Sequence, residues 1–127
     1  PLKGLNDLIK FARNNPDRKI DVFGWGELDY ESLFSKYPNL IFGGAKKYQE
    51  ISAIFQQSKA LYHAPIVNEP FCRMMGEALL CGVKEIIGDT SKIGAYLEFQ
   101  KVGYDVFKER CQLAQDIFWQ KINNIQP

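Results

Sequence analysis

Four short apolar runs separated by stretches of helical periodicity constrain this chain more than any other feature. The runs are Lys19–Phe23, Asn39–Phe42, Ala60–His63 and Lys84–Ile87, each long enough for one strand. Between them, Gly4–Asn15 carries Leu5, Leu8, Ile9 and Ala12 at helical spacing, and Tyr48–Ser58 carries Ile51, Ile54 and Phe55. Asp29–Lys36 reads as a shorter helix stopped before Pro38, and Pro70–Cys81 as another, with Pro70 as its first residue. A long terminal helix is expected over Asp105–Asn123, with Phe107, Cys111, Ala114, Ile117 and Phe118 on one side. Phe118 and Trp119 read as core or docking residues there.

Strands alternating with helices in this order favour an α/β domain with a doubly wound, mostly parallel sheet. Such folds open on a strand, whereas this chain opens on a helix, so the first strand is expected to be missing and the chain to be a fragment of a larger, two-domain protein. The 127 residues suffice for one domain, read as an α/β core over residues 1–102 followed by a helix over 103–124.

Charge narrows the function classes. Sixteen basic and fifteen acidic residues leave a net charge of +1, which does not suit wholesale binding to nucleic acid or anionic lipid. The three cysteines and single histidine form neither a paired disulfide framework nor a zinc pattern recognisable by spacing. No apolar run reaches membrane-spanning length. These features point to a reducing, cytoplasmic setting, with no metal expected.

The segment Asn68–Gly82 carries the most chemistry. It places Glu69 in a loop beyond a strand end and Glu77 in the helix that follows. In doubly wound sheets, ligands bind beyond the carboxyl ends of the strands. With Pro70 opening the helix, the amides of Phe71, Cys72 and Arg73 would be free to meet an anion, reinforced by the helix dipole and the Arg73 charge. Carboxylates only accept hydrogen bonds, so Glu69 and Glu77 suit hydroxyl-rich ligands such as a sugar and a ribose. The plainer reading, favoured by spacing alone, makes Glu69 a capping acid and Glu77 a solvated helix residue.

The remaining candidates are weaker. Gly24 and Gly26 follow a strand and would let a ligand approach the backbone, yet the third glycine of a dinucleotide fingerprint is absent. Gly43 and Gly44 share this ambiguity. Lys3 is a candidate phosphate contact, though a lysine near a terminus is usually just exposed. His63 reads as a structural residue, since no carboxylate or serine pattern accompanies it. Cys72 and Cys81 read as small packed side chains, although a cysteine near a helix start can have a lowered pKa.

Taken together, the motifs resemble the C-terminal, donor-binding domain of retaining glycosyltransferases of the GT-B fold, the large group-1 (family-four) class. The resemblance rests on Lys3-Gly4, Val22-Phe23-Gly24-Trp25-Gly26, Ile41-Phe42-Gly43, Pro65 through Cys72, and Glu77-Ala78-Leu79-Leu80-Cys81-Gly82. It covers roughly Lys3 to Gly94. Its most specific part is the pair of glutamates with the Glu-Ala-Leu-Leu-Cys-Gly helix end. Departures include Ile66 where the family has serine and Cys72 where it has glycine.

The resemblance implies a nucleoside-diphosphate sugar as donor substrate and no cofactor. It implies that Lys3 contacts the diphosphate, Glu69 the transferred sugar and Glu77 the ribose hydroxyls. The amides of Phe71, Cys72 and Arg73 would touch sugar or phosphate. Gly24 and Gly26 would line the donor cleft, and residues 45–47, Lys46 among them, would lie near the base. An acceptor sugar or lipid-linked glycan would be held by a missing N-terminal domain, giving a membrane-peripheral setting in the full-length protein. The expected full-length activity is hexosyl transfer with retention, and the chain alone is expected to transfer nothing. Two other readings stand beside this one, a non-catalytic or degenerate α/β interaction module and a receiver or flavodoxin-like domain.

Overall fold

The computed structural model describes residues 4–24 and 26–125. Its elements are α1 (Leu5–Asn14), β1 (Ile20–Val22), α2 (Tyr30–Phe34), β2 (Leu40–Phe42), α3 (Tyr48–Gln57), β3 (Ala60–Tyr62), α4 (Arg73–Leu80), β4 (Glu85–Ile87) and α5 (Gly94–Ile125). A single 3-10 turn, Thr90–Lys92, precedes α5. The chain is therefore α/β, and its strands pair in parallel.

Among the described residues the strands form two separate two-stranded sheets, β1–β2 and β3–β4. In the first, Ile20 pairs with Leu40 and Val22 with Phe42. In the second, Ala60 pairs with Glu85 and Tyr62 with Ile87. Side chains link the two halves. The Phe11 ring of α1 meets the Tyr62 ring of β3 at 5.1 Å, and Arg18 forms an ion pair with Glu85 at 3.1 Å.

Each half has its own apolar centre. Around β1 and β2, Ala12, Tyr30, Phe34 and Leu40 are buried, with Leu5, Leu8 and Ile9 of α1 packed against them. The helical spacing of the α1 leucines is what brings them to this one face. The turn after α1 is closed by Asn39, whose Nδ2 lies 2.9 Å from the carbonyls of Ala12 and Asn15 and 3.1 Å from that of Arg18. One side chain thus adds to the turn bonds by which the Asn15 amide meets Ala12 and the Arg18 amide meets Asn15, and ties the turn to the start of β2. Asp29 opens α2 by accepting the Ser32 amide at 3.2 Å, and Glu50 reaches back to the Lys47 amide at 2.7 Å to open α3.

Around β3 and β4, the buried residues are Met75, Leu79, Ile93, Ala95 and Phe107. The Phe107 ring stacks on Phe71 at 6.2 Å and meets Phe99 edge-on at 5.5 Å. A neighbouring cluster of Phe55, Ala78 and Val83 seats α3 against α4.

Two expectations need correction. The helix expected from Pro70 starts at Arg73, because Cys72 takes a left-handed backbone, φ 66° and ψ 89°, that interrupts any earlier turn. The last helix starts at Gly94, well before Asp105, because Ala95, Phe99 and Val102 already present an apolar face to the β3–β4 core. Gly103, with φ 81° and ψ 174°, breaks that helix into two segments. Beyond Cys111 the distal segment leaves the core, and Leu113 and Ile117 are exposed. The side chains of Phe118 and Trp119 lie outside the described residues. No helix among the described residues is long and apolar enough to cross a membrane.

Candidate functional site

The chain leaving β3 stays under backbone control. The His63 amide donates to the Ile87 carbonyl at 2.9 Å, extending the β3–β4 pairing by one residue. After the buried Pro65 and the exposed Ile66 and Val67, the chain runs parallel to residues 92–95. There the Glu69 amide donates to the Lys92 carbonyl at 2.8 Å, the Gly94 amide to Glu69 at 2.9 Å, and the Ala95 amide to Phe71 at 2.8 Å. Residues 69–71 are therefore fixed at the edge of the β3–β4 half. Cys72 then turns the chain into α4.

This placement revises the expected anion site. Phe71 and Cys72 precede the helix, so of the three amides expected to open it only that of Arg73 lies within α4. The first-turn amides without a partner inside the helix belong to Arg73, Met74 and Met75, and those of Met74 and Met75 face the Cys72 sulfur. The Phe71 ring turns away to stack on Phe107.

Glu69, Cys72 and His63 come together. Glu69 Oε2 lies 3.0 Å from His63 Nε2, and Cys72 Sγ lies 3.7 Å from the same nitrogen. All three residues are half-buried. Burial first, and then the Glu69 carboxylate, push the Cys72 thiol up to about 11, against the opposing pull of the Met75 and Met74 amides. Cys72 is therefore a thiol at neutral pH, and the lowered pKa that a helix start can produce is not realised.

Glu77 belongs to a second cluster. Arg73 Nε donates to Glu77 Oε1 at 2.8 Å, one helical turn away, and Tyr48 donates its hydroxyl to the same oxygen at 3.1 Å. Arg73 Nη2 also donates to the Tyr48 hydroxyl at 3.1 Å, with its guanidinium over the Tyr48 ring at 5.2 Å. Tyr48, then Glu77, hold the Arg73 pKa above its ordinary value. Glu77 is thus a paired acid joining α3 to α4, not simply a solvated helix residue.

The glycine turns lie at the carboxyl ends of β1 and β2. The Gly43 amide donates to Val22 at 2.9 Å and the Gly24 amide to Gly44 at 3.0 Å. Gly43 packs so closely on the Phe23 ring that a Cβ there would stand 2.6 Å from it. Lys46 Nζ sits 5.5 Å from the centre of the same ring. Gly26 lies beside the Tyr30 ring. The next residues, Lys47 and Tyr48, lead into α3, and Tyr48 reaches Glu77. Lys3 and Trp25 lie outside the described residues.

Two participants were not anticipated from the sequence. By sequence His63 reads as structural, and its only signal is a histidine followed by an acid six positions on and a cysteine nine positions on. Tyr48 gave no local signal, since its partner Glu77 is 29 positions away.

Comparison with protein-family models, with curated proteins and with solved structures finds no match for this chain.

Proposed function

We propose that this chain is the donor-binding half of a retaining sugar transferase, with its two strand pairs belonging to a doubly wound sheet. The observation that supports this reading most is the setting of α4. Its first turn follows the end of a parallel strand pair, with Glu69 fixed just before it and Glu77 in its second turn. The glycine turns after β1 and β2 lie at the same, carboxyl-terminal ends of their strands, where open α/β sheets take their ligands.

In this reading the diphosphate of a nucleoside-diphosphate sugar meets the first-turn amides of α4 and the Arg73 guanidinium. Glu69 accepts from hydroxyls of the transferred sugar. Glu77 accepts from the ribose hydroxyls, which take over the places now held by Arg73 and Tyr48, and Arg73 turns to the phosphates. Charge developing on the leaving diphosphate is then met by fixed amides and a guanidinium, the usual form of electrostatic stabilisation. Gly24 and Gly26 line the donor cleft, and Lys46 lies towards the base. Acceptor binding and transfer need a second domain, so the chain alone binds donor and transfers nothing.

The test is a titration of the chain with UDP, GDP and ADP, followed by backbone amide shifts in NMR spectra. Saturable shifts of Arg73, Met74, Met75 and Glu77 with one nucleotide support the reading and identify the base. A folded chain that shows none with any of the three at millimolar concentration removes it.

A second reading, a non-catalytic α/β interaction module, is favoured by one observation. Leu113 and Ile117 are 56% and 42% exposed on the distal part of α5, beyond the core. Light scattering addresses it directly, since a clean monomer at high concentration counts against self-docking through that helix.

A further inference from the structure

We propose that His63, Glu69 and Cys72 form a chelating site for one divalent cation of the zinc class. The proposal does not depend on nucleotide binding. It starts from the fact that one ligand atom from each of the three residues lies within 4.8 Å of the other two.

The geometry suits a chelate better than a nucleophile relay. In a relay, the acid holds one ring nitrogen of the histidine while the other nitrogen takes the proton of the nucleophile. Here the carboxylate and the sulfur approach the same atom, His63 Nε2, at 3.0 and 3.7 Å. Three donors converging on one region are arranged to share a cation.

The distances fit. With zinc bond lengths of about 2.0–2.1 Å to nitrogen, 2.3 Å to sulfur and 2.0–2.2 Å to oxygen, the edges of a tetrahedral site are about 3.3–3.6 Å. The His63–Cys72 separation of 3.7 Å already matches such an edge. The His63–Glu69 separation of 3.0 Å has only to open by a few tenths of an ångström, within the rotation of one carboxylate.

The scaffold is in place as well. The His63 backbone is bonded to Ile87, and the Glu69 backbone to Lys92 and Gly94. Cys72 is anchored as the residue that opens α4, its carbonyl accepting the Gly76 amide at 3.1 Å. The ligands thus come from three positions fixed by main-chain hydrogen bonds, which reduces the ordering cost of binding. Charge balances too, because a carboxylate and a thiolate neutralise a divalent cation with imidazole neutral. One soft sulfur, one imidazole and one carboxylate select zinc or cobalt over magnesium or calcium. Three protein ligands leave a fourth position for water or an anionic oxygen.

Binding transfers the Cys72 thiol proton to the buffer as the sulfur–metal bond forms, so each cation bound at neutral pH releases a proton from this group. No oxidant or reductant takes part.

The test is titration of the reduced chain with cobalt(II) alone. One equivalent should produce a near-ultraviolet sulfur-to-cobalt charge-transfer band and the intense visible bands of tetrahedral cobalt, both bleached by zinc. Cys72→Ser should abolish the near-ultraviolet band. A direct ligand costs at least as much as a second-shell partner, about 10–100-fold in affinity, so His63→Gln should weaken cobalt binding by at least that factor. A second measurement needs no variant. Zinc should slow alkylation of Cys72 in the native chain, mapped by mass spectrometry, while leaving Cys81 and Cys111 unaffected. Absence of the charge-transfer band, its survival in Cys72→Ser, or equal alkylation of Cys72 with and without zinc would each overturn the proposal. Because no nucleotide is present, none of these outcomes bears on donor binding.

Discussion

Gly94 and Pro70 are in direct backbone apposition: a Cβ placed on Gly94 would stand 1.7 Å from the Pro70 carbonyl oxygen and 2.5 Å from its carbon. The contact exists because the Gly94 amide donates to Glu69 one residue earlier, drawing the start of α5 onto the segment that carries the candidate ligands. Gly94→Ala must push two main-chain segments apart. It should cost about 2–4 kcal/mol, in the range of overpacked cores and strained backbones, measured by urea denaturation. Pro70 lies between Glu69 and Cys72, so the same variant should also bind cobalt more weakly.

Phe107 joins α5 to the rest of the β3–β4 half. It is 1% exposed and packs against both Phe71 and Phe99. Phe107→Ala removes a buried ring and should destabilise the chain by about 3–5 kcal/mol, with Phe107→Leu costing less. Hydrogen exchange should show the loss concentrated in α4 and in α5 before Gly103, with the β1–β2 half less affected.

Glu77 gives the sharpest test of the nucleotide reading. Glu77→Gln keeps the shape of the side chain and removes its charge, replacing a charged hydrogen bond to ribose with a neutral one. Nucleotide affinity should fall on the order of tenfold, read by calorimetry or by the NMR titration. Unchanged affinity would remove Glu77 from the ribose role. Its bonds to Arg73 and Tyr48 make a small, separate stability effect, which is read from the melting temperature.

Asp29 governs part of the acid response. The Ser32 hydrogen bonds hold its carboxyl below the ordinary value of 3.8. A carboxylate with a depressed folded-state pKa contributes stability above its unfolded pKa and loses that contribution as pH falls through the folded value. Asp29→Ala should therefore melt at a lower temperature than the native chain at neutral pH. The difference should shrink as pH drops below 3.8, which melting curves followed by circular dichroism would show.

The order of elements was legible because the apolar periodicity of α1, α3 and the four strands is local. The parallel pairing followed from that alternation. The start of α4 was not legible, because Pro70 is a sound first helical residue by local rules and nothing nearby signals that Cys72 adopts a positive φ. The early part of α5 lies outside the helix expected over Asp105–Asn123, although Ala95, Phe99 and Val102 carry a helical pattern that packs on the core. Glu69 and Glu77 stand out in the sequence, and the structure brings each to a side chain from another element. Their partners do not stand out, because His63 and Tyr48 reach them through tertiary folding, which no window of sequence contains. The joining of the β pairs into one sheet was expected from topology and is not seen among the described residues.

The backbone at Cys72 carries a consequence for how this chain evolves. It is the only described non-glycine residue with a positive φ, a conformation that costs an ordinary L-residue about 1 kcal/mol and glycine almost nothing. Cys72→Gly should relieve that strain, yet it also loosens the unfolded chain, gives up the side chain's packing against the β3–β4 core and deletes the sulfur facing His63, so the melting temperature should change little. A lineage that keeps cysteine here holds a core contact and a sulfur on a backbone that glycine would adopt more freely, and one that exchanges it gives up both to relax that backbone.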